Sequence, residues 1–361
     1  MKIGLLVPVL HPLENSFETI NLAKQINADS LWAPDHILGL SHPDHWEGNP
    51  WSEFVTHADA WFDPYCALAL LSSRTDLPLG IAVTDGTRRR AVDVARSALT
   101  LQHMAKGGFN LGVGAGEAAN LVPFGYPFEK PVGELETFLH ELRHLLDTGC
   151  SLHVDYARLG LPLESGAGRP KVWVAAHGPR MLRLCGQYGD GWLPAWKMTP
   201  EEYAQRREVI RKHADEAGRP MPICGLFASC ILAESRQKAF DLLNANPISK
   251  SSTLWASGKK WLEYGVKHPA GDDCQGLFDV IVHKLDGNEL EEILRKVPAE
   301  LVDEVSFIGT AEELLETFDA YRQVGLEYSV VSASTGIVGG MEAAKASERD
   351  FIKLAEGIAK L

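Results

Sequence analysis

The chain has 361 residues, of which 45% are hydrophobic and 23% charged, values typical of a globular protein with a sizeable core. Its 35 Lys and Arg residues are outnumbered by 48 Asp and Glu residues, giving a net charge of −13. Such an acidic surface argues against nucleic acid or an anionic membrane as the main partner.

Short apolar runs alternate with helical patterns along the chain. The runs predicted as strands are residues 3–7, 30–34, 77–83, 109–114, 172–176, 191–194, 222–232 and 327–332. Helical patterns follow them, the first with Ser16 as its expected N-cap. Eight such units favour a closed (β/α)8 TIM barrel over a doubly wound sheet, which usually stops at about five to seven strands. Residues 245–304 do not follow the alternation of strands and helices. We therefore predict one domain, 1–361, with an insertion between strands seven and eight.

The cysteines and the apolar runs indicate a cytoplasmic protein. None of the six cysteines forms a CxxC pair, and we interpret them as reduced and mostly buried. No apolar stretch reaches the ~20 residues of a transmembrane segment, and the first strand-like run is too short for a signal-peptide core.

In a barrel of this kind the working residues lie at the carboxyl ends of the strands. Asp35 and His36 follow the second strand, and imidazole titrates near neutral pH, so His36 is a candidate proton donor or acceptor. The alternative is that this pair only caps the next segment. Glu117 ends a glycine-rich turn, where a partly desolvated carboxyl group could act as an acid. A role at the amino end of a helix, stabilised by the helix dipole, is equally open for Glu117.

Two further segments suggest ligand contacts. Gly178 and Pro179 open a helix after the fifth strand, and a helix amino terminus there can bind an anion. Arg180 and Arg183 add positive charge, although either could form a surface salt bridge. Residues 38–63 form a long loop rich in tryptophan, which suits either an apolar lid or plain loop packing. We predict no metal site at the histidines of this loop, because no strand or helix would preform one.

At four stretches the sequence resembles the bacterial-luciferase-like superfamily, and within it the branch that uses the deazaflavin coenzyme F420. The stretches are residues 32–36, 80–85, 111–120 and 173–183, the last continuing at 188–192. The likeness to the mycobacterial phthiodiolone ketoreductase group extends into the insertion, at residues 264–271. The resemblance implies a deazaflavin ring lying across the carboxyl ends of the strands. Members of the family commonly form homodimers, and the sequence itself leaves the oligomeric state open.

The resemblance also implies roles for individual residues. It assigns His36 as the acid/base near the reacting carbon and Glu117 as a second acid. Ala82 and Val83 fall where the family often has a non-prolyl cis peptide bond behind the ring. The residues assigned to cofactor binding are Asp35, Ala82, Val83, Thr84, Asp85, Gly116, Asn120, Ala175, Ala176, His177, Gly178, Arg180, Leu193 and Pro194.

The function implied is an F420-dependent oxidoreductase that transfers a hydride between the deazaflavin and a carbonyl or secondary alcohol. Related sugar-phosphate dehydrogenases grip the substrate's phosphate with basic residues, for which this chain has no matching set. The tryptophan-rich loop and the apolar insertion instead suit a bulky, hydrophobic small molecule. The alternatives are an FMN-dependent luciferase-like monooxygenase and a protein that binds a cofactor without turnover.

Overall fold

A computed structural model describes residues 1–361 and contains nine parallel strands. They are β1 (Lys2–Leu6), β2 (Ser30–Ala33), β3 (Leu79–Asp85), β4 (Phe109–Gly114), β5 (Lys171–Val174), β6 (Gly191–Trp192), β7 (Ile223–Leu232), β8 (Phe307–Gly309) and β9 (Tyr328–Ala333). Strands β1 to β7 pair in sequence order, and β9 closes the ring by pairing with both β7 and β1. The predicted TIM barrel is therefore confirmed.

Twelve helices surround the strands. They are α1 (Glu14–Gln25), α2 (Pro64–Leu71), α3 (Ala91–Met104), α4 (Ala118–Leu121), α5 (Pro131–Thr148), α6 (Pro179–Tyr188), α7 (Pro200–Glu216), α8 (Arg236–Ala245), α9 (Gly258–Glu263), α10 (Gly287–Lys296), α11 (Ala311–Gln323) and α12 (Thr335–Lys360). The prediction of Ser16 as a helix cap was wrong. Helix α1 begins two residues earlier, and the Ser16 hydroxyl donates to the carbonyl oxygen of Pro8 at 2.5 Å.

The segment between β7 and β9 holds elements that the sequence pattern did not reveal. Strand β8 has only three residues and pairs with the last three of β7, so it shows no periodicity of its own. Residues 245–304 form α9, α10 and several 3-10 turns. They enclose a small apolar cluster, in which Trp261, Leu290 and Leu294 are fully buried. This cluster is separate from the main barrel core.

Aromatic side chains fill the inside of the barrel. Trp32 and Trp173 meet edge to face with ring centroids 5.4 Å apart, and Tyr328 lies 5.2 Å from Trp173. Glycines on neighbouring strands make the room: a Cβ at Gly80 would lie 2.6 Å from the Trp32 ring, and one at Gly191 would lie 2.2 Å from the Trp173 ring. These rings form a solid floor beneath the carboxyl ends of the strands.

All six cysteines are free thiols, and four of them are buried. No helix combines the length and the apolar composition that crossing a membrane requires.

Candidate functional site

A cleft of about 340 Å³ opens at the carboxyl end of the barrel. Its lining residues are Asp35, His36, Ile37, Asp59, Trp61, Asp63, Arg88, Arg89 and Tyr126. Asp35 and His36 were predicted from the sequence. Trp61 belongs to the tryptophan-rich loop for which an apolar lid was one interpretation. The other six were not assigned to the site, although Arg88 and Arg89 follow a predicted strand end and carry the same positional signal. Tyr126 and Asp59 lie in irregular segments, where no strand-end pattern marks them.

Asp35 lies at the base of the cleft in a buried ionic cluster with Asp85 and Arg88. The Thr84 hydroxyl donates to Asp35 Oδ2 at 2.6 Å, and Arg88 Nη2 lies 3.2 Å from the same oxygen. Arg88 Nε donates to Asp85 Oδ2, while Asp85 Oδ1 accepts from the backbone N–H groups of Thr87 and Arg88. The cluster therefore fixes both the Asp35 side chain and the turn after β3.

The exposed fractions of these side chains are 2% for Asp35, 3% for Asp85 and 7% for Arg88. Burial raises the pKa of Asp35 above its ordinary value, and the Arg88 guanidinium and the Thr84 hydroxyl oppose that shift. Thr84 and Asp85, which the resemblance assigned to the cofactor, thus contact Asp35 and Arg88 beneath the cleft.

His36, Glu117 and Asn120 form a second polar group, between β2 and β4. Glu117 Oε2 lies 3.6 Å from His36 Nδ1. The Asn120 amide nitrogen Nδ2 lies 3.0 Å from His36 Nδ1 and 3.1 Å from Glu117 Oε2. Burial lowers the pKa of His36 and raises the pKa of Glu117. Each side chain is therefore biased towards its uncharged form.

The backbone before α4 places Glu117 in this group. Gly116 has a φ of +86°, and a Cβ there would lie 2.7 Å from Leu121 Cδ1 and 3.2 Å from the Cβ of Asp85. Glu117 occupies the N-cap position of α4, but its side chain makes no capping hydrogen bond. The carboxylate instead points to Asn120 and His36, so simple helix capping does not account for it.

The loop 38–63 supplies an aromatic wall beside His36. The Trp61 ring lies 5.0 Å from the His36 ring, and Trp51 lies 6.1 Å from Trp61. Histidines of the same loop attach it to the segment between β7 and β8. His42 Nε2 donates to the carbonyl oxygen of Leu285 at 3.0 Å, and His45 Nε2 donates to that of Gly287 at 2.7 Å.

Small residues lie side by side where β3, β4 and β5 end. The peptide bond between Ala82 and Val83 is cis, and the pairing of β3 with β4 shifts its register there. A Cβ at Gly114 would lie 3.1 Å from Val83 Cγ2 and 3.7 Å from the Cβ of Ala175. The three neighbouring strands thus present a surface of small, apolar groups.

The amino end of α6 carries an unpaired polar atom. His177 Nε2 accepts from the Ala195 N–H at 3.3 Å, so a neutral ring carries its proton on Nδ1, which is buried without a partner. Burial lowers the pKa of His177 to about 3. A Cβ at Gly178 would meet nothing within 4 Å, and the first N–H groups of a helix have no partners within it. These features fit a ligand with an anionic or hydrogen-bond-accepting tail.

Four of the predicted residues have other contacts. Arg180 Nε donates to Glu136 at 3.1 Å, and about half of the Arg180 side chain is exposed. Leu193 belongs to the aromatic cluster inside the barrel. The carbonyl oxygen of Ala176 accepts a hydrogen bond from the Trp192 ring N–H. That of Pro194 accepts one from the backbone N–H of Phe227.

The chain matches the family described as luciferase-like monooxygenase over residues 1–328. It is 34% identical to a protein of Mycobacterium kansasii named phthiodiolone/phenolphthiodiolone dimycocerosates ketoreductase, covering 92% of this chain and 95% of that one. The protein of the same name from Mycobacterium bovis is 31% identical, covering 94% of this chain and 92% of that one.

Two solved structures with the same fold have low sequence identity to it. An F420-dependent secondary alcohol dehydrogenase, in complex with an F420-acetone adduct, has a TM-score of 0.67 at 17% identity and covers 95% of this chain and 98% of its own. The coenzyme F420-dependent tetrahydromethanopterin reductase of Methanopyrus kandleri has a TM-score of 0.68 at 15% identity and covers 97% of each chain. The match over residues 1–328 and the relative at 34% identity together show that this chain belongs to the luciferase-like monooxygenase family.

Proposed function

We propose that this protein is an F420-dependent oxidoreductase that interconverts a bulky, hydrophobic carbonyl compound and its secondary alcohol. The observation that carries the proposal is the pairing of His36 with Glu117 at the wall of the cleft. The ketoreductase names of the relatives support the carbonyl chemistry. The F420 named for two proteins of the same fold supports the choice of cofactor.

The surface formed by Val83, Gly114 and Ala175 would hold the flat ring, since a larger side chain at Gly114 would crowd its neighbours. The orphan Nδ1–H of His177 and the open amino end of α6 at Gly178 would hold the phosphate-bearing tail. When bound in its reduced form, the deazaflavin supplies a hydride for the carbonyl carbon.

The chain's own residues then handle the carbonyl oxygen. His36 lines the cleft and presents its ring to a substrate there, while Glu117 lies beside it, with Oε2 3.6 Å from His36 Nδ1 and its carboxyl group biased towards the protonated form. Together they bind the oxygen and exchange its proton. Trp61 covers one side of His36 and limits access of water to this point.

The aromatic surroundings support a large apolar substrate. Trp61 and Tyr126 line the cleft, and Val122 and Phe124, which are close to Tyr126 in the chain, also have exposed side chains. A group of exposed apolar side chains beside a cleft is typical of a binding surface. Three Asp and two Arg residues line the cleft, and their formal net charge of −1 would disfavour an anionic substrate.

The proposal is tested by titrating the purified protein with oxidised F420 and, in parallel, with FMN, following cofactor fluorescence. We expect saturable F420 binding, and a change in deazaflavin absorbance when long-chain ketones or secondary alcohols are added. Gly114→Leu serves as the matched variant, because it would fill the proposed ring surface and abolish F420 binding.

Tight FMN binding without a response to F420 would contradict the proposal. Oxygen consumption with reduced FMN would then support the monooxygenase alternative, since a deazaflavin hardly reacts with oxygen. F420 binding without turnover of any carbonyl or alcohol would support a binding protein instead.

A further inference from the structure

The amide group of Asn120 can adopt only one orientation. Its Oδ1 atom accepts hydrogen bonds from the backbone N–H groups of Ile37 at 2.7 Å and Leu38 at 3.1 Å. A flipped amide would place an NH₂ group against these two donors, so the oxygen must face them. The NH₂ group of Asn120 must therefore face His36 and Glu117.

This orientation determines which nitrogen of His36 carries the proton. The Asn120 amide nitrogen is a donor without a lone pair, and it lies 3.0 Å from His36 Nδ1. Nδ1 must therefore accept, and a neutral ring carries its hydrogen on Nε2. Nε2 makes no hydrogen bond within the protein, and His36 lines the cleft. The free N–H thus belongs to the face that a substrate would meet.

The same contact disfavours the charged ring. An imidazolium would carry a second hydrogen on Nδ1 and place two donors against each other at 3.0 Å. Burial of His36 and the positive charge of Arg88 act in the same direction, while Glu117 opposes them. The other neighbours of His36 are Trp61, which has no charge, and Asp35. The Asp35 carboxylate accepts a hydrogen bond from Thr84 and pairs with Arg88.

We infer that Asn120 is a positioning residue that holds His36 as the neutral, Nε2-protonated tautomer, so that His36 donates a hydrogen bond to the substrate oxygen and Glu117 supplies the proton. The inference rests on the proposed function and sharpens it. All four hydrogen-bonding positions of Asn120 are occupied by protein groups, which replaces the cofactor contact that the resemblance implied.

The proton balance follows from this assignment. A neutral imidazole is too weak an acid to lose its Nε2 proton, so His36 polarises the carbonyl group without being consumed. Bound reduced deazaflavin would supply the hydride for the carbonyl carbon, and the carbonyl oxygen would then take a proton from the Glu117 carboxyl group, leaving a carboxylate. Glu117 Oε1 makes no hydrogen bond within the protein, and 24% of the side chain is exposed, so the proton is replaced from solvent.

The tautomer is measured directly by long-range ¹H–¹⁵N spectra of the protein labelled with [¹⁵N]histidine, without cofactor. His36→Gln identifies the His36 signals. We expect the neutral, Nε2-protonated pattern, unchanged between about pH 6 and about pH 8. A protonated Nδ1, or an imidazolium in that range, would overturn the inference even if F420 binds. Absence of F420 binding, with the expected tautomer present, would instead count against the proposed function.

Asn120→Asp tests the positioning role, because a carboxylate in place of the NH₂ group accepts a hydrogen from Nδ1. We expect His36 to shift to the Nδ1-protonated or charged form, kcat to fall by about 10²–10³-fold, and the Kd for F420 to change by less than about threefold. Asn244→Asp, at an exposed position on α8, is the matched control and should leave all three unchanged. A large rise in Kd with an unchanged His36 spectrum would identify Asn120 as a cofactor contact and refute the inference. If Asn120→Asp does not fold, the wild-type spectrum still decides.

Discussion

Asp35 and His36 are neighbours in the chain, yet they belong to two regions of different character. Asp35 shares its buried cluster with Arg88, so the negative charges there have a cation in contact. His36 and Glu117 are bridged by a neutral amide and have no cation within hydrogen-bonding distance. Burial raises the pKa of Asp35 in the first region and that of Glu117 in the second, but only Asp35 has a cation in contact that opposes the shift. The first region therefore fixes geometry, and the second can exchange a proton.

One strand end thus supplies a structural anchor and a chemical group at adjacent positions. Successive side chains after β2 diverge, one towards β3 and the other towards β4. The ionic cluster holds the backbone that carries His36, while His36 itself stays open to the cleft.

Arg88→Met should have the largest effect, on stability. It leaves Asp85 buried without its cation, and it leaves Asp35 with only Arg89, whose Nη2 lies 3.7 Å from Asp35 Oδ1. Breaking a buried pair of this kind typically costs about 3–5 kcal/mol of unfolding free energy. Urea denaturation followed by circular dichroism measures the loss. Arg180→Met, which breaks a half-exposed pair with Glu136, is the control and should cost less than about 1 kcal/mol. Equal losses in the two variants would show that the cluster is not a special anchor.

Glu117→Gln should abolish most of the activity while sparing the fold. Glutamine keeps an acceptor for Asn120 but holds no exchangeable acid proton, so we expect kcat to fall by about 10²–10⁴-fold. The rate of carbonyl reduction by the wild type should fall as pH rises through the elevated pKa of Glu117, because the acid must be protonated. This decrease in rate with rising pH should be absent in Glu117→Gln and present in His36→Gln. If it is absent only in His36→Gln, His36 is the acid.

Gly80→Ala tests the floor that both regions share. Its Cβ would lie 2.6 Å from the Trp32 ring, and overpacking of this kind typically costs about 1–3 kcal/mol. Thermal unfolding measures the loss. Gly166→Ala, at a position where a Cβ meets nothing within 4 Å, should cost much less. Similar values for the two variants would mean that the aromatic floor is loosely packed.

The smallest effect expected is a pH dependence of stability due to His36. Its folded pKa lies below its ordinary value of 6.5, so as pH falls through 6.5 the unfolded chain takes up a proton that the folded protein does not. The wild type should therefore lose stability relative to His36→Gln as pH falls, by no more than about 1.4 kcal/mol per pH unit. Unfolding in urea between about pH 5 and about pH 8 provides the comparison. Parallel curves for the two proteins would show that His36 becomes charged in the folded state.

The sequence predicted the parts of the molecule that depend on local patterns. Apolar runs located the eight barrel strands, and the strand-end rule together with the family resemblance selected Asp35, His36 and Glu117. Contacts between residues that are distant in the chain could not be predicted from the sequence. Arg88 meets Asp35 across 53 positions of sequence and Asn120 meets His36 across 84, so neither contact has a spacing signal. Strand β8 was missed because three residues are too few to show a period.

The attachment of the loop 38–63 has an evolutionary consequence. His42 and His45 bind backbone carbonyl oxygens at residues 285 and 287, so the wall beside His36 is held by a segment that adds no lining residue to the cleft. A backbone acceptor does not depend on its own side chain, so residue 285 can vary, whereas Gly287 must stay small because a Cβ there would lie 2.8 Å from Asp44 Oδ2. Away from Gly287 and from His283, which contacts Asp59, the sequence of the segment can change while the proton-handling residues stay constant. A descendant could adopt a new substrate by changing the attached segment alone.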